Sequence, residues 1–319
     1  MIEYNDGIHL IGTGLWFDAH KKTELTFISS ADIERFTAPE KTIATPETIK
    51  LLEKKARSSL LLSCPYRRPF TLGNLQVELI PSGHMLGSAQ MVIDKGNLKI
   101  IYSGDINFLK TPTAEQLSIK ECNVLVLKCG YGAEEKKQPD FKESIENLIK
   151  FIEGAFSSDT TPVVITNPIG IGQDIINTLG HRGYKLSLHS SIHRITKVYE
   201  YYGISFGDYK LLKSANSDDR IILLPNSQIG SEYLKNIENC RIADITEEGV
   251  DADTISLETE EYIKFTTRAG STDLLKYVDK VKPDKLYLID KSAQDFAKIL
   301  EKKGYDAIVL EKPTQLNLL

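Results

Sequence analysis

The chain has 319 residues, of which 41% are hydrophobic and 26% are charged, and its net charge is -5. This balance is ordinary for a globular protein with a sizeable core, and no apolar run approaches the ~18 residues that a membrane-spanning helix needs. Proteins that bind nucleic acid mainly through phosphates usually carry an excess of Lys and Arg. The acidic balance therefore argues against that class, and the lack of a long apolar run argues against a membrane-spanning protein.

The N-terminal residues and the cysteines both favour a cytoplasmic protein. The sequence MIEYNDGIHLIGTG has no basic region followed by an apolar stretch, as a secretory signal would have. The cysteines are widely spaced and form no CxxC pair, which indicates neither a zinc ribbon nor a disulfide framework. We expect a reducing compartment.

The first half of the chain predicts mainly strands. Residues 8–28 alternate short apolar runs with turns and are typical of a β-meander. A helix is predicted to begin at Thr45-Pro46, with Thr as the N-cap and Pro at the first helical position. Further strands are predicted at residues 74–80, 89–94, 98–103 and 123–128.

The pattern then changes to alternating helices and strands. Asp140 and Glu143 form a capping-box sequence before an amphipathic helix, and a β-branched strand (162–166) and a helix (170–179) follow. The C-terminal end repeats this alternation with segments 285–290, 292–303 and 307–311. The sequence therefore predicts a separate α/β module at about 134–245, inserted into a β-rich domain.

Two strand ends carry residues that suit metal chemistry. The segment PSGHMLGSAQMVID (81–94) contains His84, and the strand predicted in KIIYSGDIN (99–107) ends at Gly104-Asp105. A His and an Asp on neighbouring strand ends are good zinc ligands, and the Asp could bridge two metals. The alternative is a hydrogen-bonded loop histidine and a turn-forming aspartate.

Five stretches together resemble a known family. They are LWFDAHKKTELTFIS (15–29), ATPETIKLL (44–52), the segment from His84 to Asp105, TPVVITNPIGIGQD (161–174), and TTRAGSTDLLKYV with KPDKLYLID (266–278 and 282–290). In this order and spacing they resemble the β-CASP nucleases of the metallo-β-lactamase superfamily, in particular DNA-ligase-associated exonucleases and mRNA 3′-end-processing factors. The resemblance implies an α/β (α+β) fold. A four-layer αββα domain would comprise 1–133 and 246–319, with a β-CASP domain inserted at 134–245.

The metal-ligand positions of that family are largely replaced. Where members carry His-x-His-x-Asp-His, this chain has Ser30, Asp32, Glu34 and Arg35. An acid in a later phrase is replaced by Lys128, the Asp-His-Ala-Asp phrase reads Thr267-Arg268-Ala269-Gly270, and the last His is Asp290. Of the family's set, Asp18, His84 and Asp105 remain. Of these, His84 and Asp105 would be direct zinc ligands, and two ligands are too few for a zinc site, which needs about four.

We therefore expect no metal cofactor. The bases Arg35, Lys128 and Arg268 would replace the positive charge of the metals, and at least one of them should contact Asp18 or Asp105 in an ion pair. One alternative is an oxygen-rich site for Mg²⁺ or Mn²⁺, rather than Zn²⁺, built from Asp32, Glu34, His84, Asp105 and Asp290. Another interpretation of Asp32 and Glu34 is a polar helix start capped by Ser30.

The inserted module carries weaker signals. Its NPIGIGQD turn (167–174) resembles a family phrase at which helix amides could meet a phosphate, but Ile171 replaces the family's Lys. His189 and His193 are spaced as a metal pair could be, but a surface helix or loop is the favoured explanation of this spacing.

These observations predict a catalytically inactive homologue of a β-CASP nuclease. It would act as a structural or regulatory subunit of a nucleic-acid-processing complex. Its partner would be another protein, such as an active β-CASP paralogue or another processing factor, with weak nucleic-acid contact and no membrane contact. The alternatives are an active DNA or RNA nuclease with a remodelled metal site, and a nucleic-acid-binding module.

Overall fold

The computed structural model describes residues 1–33, 36–52, 55–130, 140–213, 220–246 and 259–311. It divides into two units, and both mix helices with strands. The first unit comprises Met1–Lys110, Ala114–Lys137 and Arg268–Leu319, and the second comprises Thr111–Thr113 and Gln138–Thr267.

The first sheet belongs to the first unit. Its strands, in spatial and chain order, are β1 (Ile2–Tyr4), β2 (Ile8–Leu10), β3 (Leu15–Phe17), β4 (Leu25–Phe27), β5 (Lys41–Ala44) and β6 (Leu60–Ser63). The β1, β2 and β3 strands are antiparallel, whereas β3 to β6 are parallel. Helix α1 (Pro46–Leu52) connects β5 to β6, and its Thr45 cap accepts a hydrogen bond from the Thr48 amide, as predicted.

The predicted meander is wrong at its last pairing. Leu15 of β3 lies beside Leu25 of β4 in a parallel register, because residues 18–24 carry the chain back before β4 begins. Alternating apolar runs indicate strands, but they do not determine the direction in which neighbouring strands run.

The second sheet of this unit supplies most of the strand ends at the pocket. Its spatial order is β19-β18-β11-β10-β9-β8-β7. The strands are β7 (Phe70–Leu72), β8 (Leu75–Pro81), β9 (Ala89–Lys95), β10 (Leu98–Tyr102), β11 (Val124–Lys128), β18 (Lys285–Ile289) and β19 (Ala307–Val309). The predicted strands from 74 to 128 and the predicted strand-helix-strand segment after 285 are confirmed within about two residues at most boundaries.

The centre of the second sheet is buried on both faces. Alternate residues of β11 show this: Val124 and Val126 pack into a core shared with the first sheet, whereas Leu125 and Leu127 pack towards the helices. Those helices are α6 (Ser271–Val281) and α7 (Ala293–Glu301), which contribute Tyr277, Phe296 and other buried side chains. Burial on both faces explains why β11 is apolar from Val124 to Leu127.

The second unit is built on a wholly parallel sheet. Its order is β14-β13-β15-β12-β16-β17, with β12 (Thr161–Thr166), β13 (Leu186–Leu188), β14 (Tyr209–Leu211), β15 (Ile221–Pro225), β16 (Cys240–Thr246) and β17 (Glu261–Lys264). Its helices are α2 (Phe141–Ser157), α3 (Ile171–His181), α4 (Ser190–Tyr201) and the short α5 (Glu232–Lys235). Parallel strands joined by helices are the arrangement that the alternating pattern predicts.

The boundary on the C-terminal side of this unit corrects the predicted one. We expected the chain to return to the first domain at residue 246, but the second unit extends to Thr267. The reason is that β17 pairs with β16 as the edge strand of the parallel sheet. The predicted boundary on the N-terminal side, at 133 and 134, lies outside the described residues.

In the part of the chain that the structure describes, no helix is both long enough and apolar enough to cross a membrane.

Candidate functional site

A pocket of about 350 Å³ lies in the first unit, where several strands end. Asp18 follows β3, Asp105 follows β10, Lys128 ends β11 and Asp290 follows β18. The polar side chains that line it include Asp18, Ser29, Ser30, Asp32, Tyr102, Asp105, Lys128, Arg268 and Asp290. The fold thus brings together acids and bases that are far apart in the sequence.

Asp18 is held by neutral donors. Its Oδ1 accepts from the Ser29 amide at 2.8 Å, and its Oδ2 accepts from the Ser29 hydroxyl at 2.6 Å and from the Tyr102 hydroxyl at 2.8 Å. Burial, followed by the charge of Asp18, raises the pKa of Tyr102 well above its ordinary value, so the hydroxyl stays protonated. Gly104 makes this packing possible: its φ is +56°, and a Cβ there would lie 2.7 Å from the Ser29 Cβ.

Asp105 lies between two cations. Its carboxylate is almost fully buried, with Lys128 Nζ 2.7 Å from Oδ2 and Arg268 Nε 3.4 Å from Oδ1. Burial favours a higher pKa for Asp105, but the charges of Lys128 and Arg268 outweigh it and hold the pKa well below its ordinary value. The ion pair between Lys128 and Asp105 is the kind of contact that the sequence predicts.

Lys128 remains protonated in this setting. Burial lowers the pKa of Lys128, but the charges of Asp105, Asp18 and Asp290 outweigh that effect and raise the pKa above its ordinary value. Lys128 Nζ also lies 3.9 Å from Asp290 Oδ2, so the ammonium faces two carboxylates. Asp290 has a positive φ of 83°, and its Oδ1 accepts from the Lys291 amide at 2.8 Å.

Asp32 joins the same network through Arg268. The Arg268 Nη2 lies 2.6 Å from Asp32 Oδ2, and Nε2 of the buried His84 lies 3.5 Å from the same oxygen. Burial favours a higher pKa for Asp32, but the nearby His84 ring and the charge of Arg268 lower the pKa to about 2. Asp32 is therefore ionised at neutral pH.

The remaining predicted site residues differ in where they lie. Ser30 is buried and lines the pocket, and no helix begins at Ser30 or Asp32 within the described residues, which corrects the interpretation of a capped helix start. Glu34 and Arg35 lie outside the described residues. Ser29 and Tyr102 also belong to the site and were not predicted, although a tyrosine inside a buried apolar strand generally needs a hydrogen-bond partner.

The side chains around Asp105 do not fit the two metal ions that the family resemblance implies. A protonated Lys or Arg offers only N–H donors, so neither can ligate a metal. No group of three His, Cys, Asp or Glu side chains among the described residues is arranged to hold a metal ion. Four of the five alternative ligands, namely Asp32, His84, Asp105 and Asp290, do lie in one network, but Lys128 and Arg268 lie between them.

The candidate residues of the second unit make structural contacts. Ile171 is buried at the start of α3, and the Asp174 carboxylate accepts from the Thr113 amide and hydroxyl. His189 caps α4 by accepting from the Ser191 amide, and the ring of His193 packs edge-on against Tyr209. We therefore place the candidate site in the first unit.

Comparisons with known proteins support a nuclease relationship without assigning a family. No protein-family model matches the chain. A probable DNA ligase from Opitutus terrae is 23% identical over 99% of this chain, which spans only 32% of that protein. An RNase J-like protein from Methanocaldococcus jannaschii is 29% identical over 32% of this chain and 25% of its own length. These similarities support a relationship to β-CASP nucleases of the metallo-β-lactamase superfamily.

A solved structure shares the fold. The crystal structure of a protein of unknown function from Enterococcus faecalis V583 aligns with a TM-score of 0.64 at 12% identity, covering 90% of this chain and 79% of that one. At this identity the likeness shows the fold alone.

Proposed function

We propose that the chain is a catalytically inactive homologue of a β-CASP nuclease with the metallo-β-lactamase fold. It acts as a structural or regulatory subunit of a nucleic-acid-processing complex. The observation that carries the proposal is the Lys128 ammonium 2.7 Å from Asp105, the carboxylate best placed to bridge two metals. The two sheets that share a core, with α6 and α7 against the second sheet, support the four-layer αββα arrangement.

The proposal follows from the chemistry that a phosphodiester hydrolase of this kind needs. A metal ion would lower the pKa of a bound water to about 7 and so provide hydroxide at neutral pH. The raised pKa of Lys128 means that its ammonium cannot act as a base at neutral pH. Hydrolysis would therefore lack an activated nucleophile.

We propose another nucleic-acid-processing protein as the partner, either an active β-CASP paralogue or a DNA ligase. In the relative named as a probable DNA ligase, a segment similar to this whole chain is about a third of a longer protein. The net charge of -5 also favours a protein partner over independent nucleic-acid binding. Weak nucleic-acid contact would use exposed bases such as Arg57 and Arg68.

A nuclease assay tests the inactive assignment. We expect no cleavage of end-labelled single- or double-stranded DNA or RNA above background with Zn²⁺, Mn²⁺ or Mg²⁺. The control is the variant His84→Ala with Asp105→Ala, purified identically. Equal background in both proteins supports the proposal, whereas cleavage by the wild type that the double variant lacks would overturn it.

That second outcome would favour the alternative, an active DNA or RNA exonuclease or 3′-end-processing nuclease with a remodelled metal site. The clustering of Asp32, His84, Asp105 and Asp290 is the observation in its favour. It would require a divalent ion, Mg²⁺, Mn²⁺ or Zn²⁺, to displace Lys128 from Asp105.

A further inference from the structure

The two oxygens of the Asp105 carboxylate face two different cations. Oδ2 faces Lys128 Nζ at 2.7 Å, and Oδ1 faces Arg268 Nε at 3.4 Å. Each cation also reaches a second carboxylate: Lys128 lies 3.9 Å from Asp290, and Arg268 lies 2.6 Å from Asp32. A carboxylate that bridges two metal ions has the same arrangement, with one oxygen for each ion.

We propose that Lys128 and Arg268 form an internal two-cation centre that closes the pocket to divalent metals. The Lys128 position is then a latent site for a hard divalent cation. The inference rests on the proposed function, because it takes the pocket to be a former two-metal site. It goes further in naming the side chain that excludes the metal and the class of metal excluded.

The charges around Lys128 explain the exclusion. With Lys128 and Arg268 in place, each oxygen of Asp105 already faces a cation, so a divalent ion gains little by binding this carboxylate. It would also meet two like charges at close range. Removing the Lys128 charge takes away the cation that faces both Asp105 Oδ2 and Asp290 Oδ2, while Arg268 stays 3.4 Å from the other oxygen of Asp105.

The donors and the space at this position indicate the class of metal. Asp105 and Asp290 offer carboxylate oxygens, and Mg²⁺ and Mn²⁺ bind through one or two carboxylates while keeping several waters. Gly130 lies beside both acids, and a Cβ there would be 3.4 Å from Asp290 Oδ2 and 4.0 Å from Asp105 Oδ1. The absence of a side chain at Gly130 leaves room for a hydrated ion.

The test is Mn²⁺ binding by the full-length variant Lys128→Met, which keeps an unbranched apolar side chain and removes the charge. We expect electron paramagnetic resonance titration to show a single bound Mn²⁺ per chain in Lys128→Met and none in the wild type. Lys120→Met is the matched control, because Lys120 also forms a 2.6 Å ion pair in this unit, with Glu78, but does not line the pocket. Lys128→Arg keeps a cation and should bind no Mn²⁺.

The outcomes separate this inference from the proposed function. Absence of Mn²⁺ binding by folded Lys128→Met would overturn the inference and leave the inactive assignment standing. Mn²⁺ binding by the wild type would contradict both. If Lys128→Met does not fold alone, recovery of folding with Mn²⁺ but not with K⁺ supports the latent site, and no recovery contradicts it.

Discussion

At the scale of single residues, the pocket compensates the negative charge of several aspartates. Several aspartates in one partly buried pocket repel one another, and each loses several kcal/mol of hydration that its donors or cations must offset. The chain stabilises Asp18 with neutral hydroxyl and amide donors, and it stabilises Asp105 with two cations. Because Asp105 depends on charged partners, loss of the Lys128 contact should be more damaging than loss of a surface ion pair.

The first prediction concerns the ion pair of Lys128 with Asp105. Lys128→Met should lower the free energy of unfolding by about 3–5 kcal/mol, because it leaves a buried carboxylate with one cation fewer. Lys128→Met combined with Asp105→Leu should lower it much less than the sum of the two single changes. Urea unfolding of all four proteins gives the coupling energy.

The control for this cycle is Lys120→Met, whose partner Glu78 lies nearer to solvent than Asp105 does. An ion pair of that kind contributes about 0–1 kcal/mol. If Lys128→Met were no more destabilising than Lys120→Met, the interpretation of Lys128 as a required counter-charge would be refuted.

A second prediction concerns acid pH. The pKa of Asp32 is about 2 in the folded protein and near 3.8 ordinarily, so its contribution is present above pH 3.8 and is lost as the pH falls through 2. At neutral pH this contribution is about 2 kcal/mol by linkage. The difference in unfolding free energy between wild type and Asp32→Asn should therefore shrink between pH 5 and pH 2. A difference independent of pH would contradict the assigned pKa.

The sequence predicted part of this chemistry. Lys128 and Arg268 stand at positions where the β-CASP nucleases that the sequence resembles carry metal ligands. Their presence there was enough to predict a contact with Asp105, because opposite charges at neighbouring strand ends pair when the fold brings them together. The neutral partners of Asp18 were not predictable in the same way. Ser29 and Tyr102 lie within strand-like runs whose pattern indicates burial, and the pattern does not show which hydroxyl meets which acid.

At the scale of elements, local signals located helices better than they described helix ends. Thr45 caps α1 through its side chain, as predicted, and its hydroxyl also donates to the Gly87 carbonyl. Asp140 stands at the N-cap of α2, but its side chain makes no capping hydrogen bond, so the predicted capping box is not formed. The amphipathic pattern of α2 was sufficient to predict the helix, since burial of its apolar face provides most of a helix's stability.

Strand direction was the feature that local sequence could not supply. The register of Leu15 with Leu25 is parallel, although the two strands are separated by only a short connection. Such a pairing depends on which sheet edge is free when the chain returns. That information lies in tertiary packing.

At the scale of the whole molecule, the extent of the second unit also depends on tertiary pairing. The strand β17 continues the parallel sheet after residues 247–258, which lie outside the described part of the chain. Arg268 is the first residue of the returning segment, and it ion-pairs with Asp32 and Asp105. The returning segment therefore contributes directly to the charge network of the first unit.

The metal content of the native protein tests the central claim most directly. Elemental analysis of the full chain, purified without chelators and without added metal, should find zinc and manganese well below one ion per chain. The reason is that Lys128 and Arg268 already supply the positive charge next to Asp105. One or two bound ions per chain would contradict the account and identify the pocket as a working metal centre.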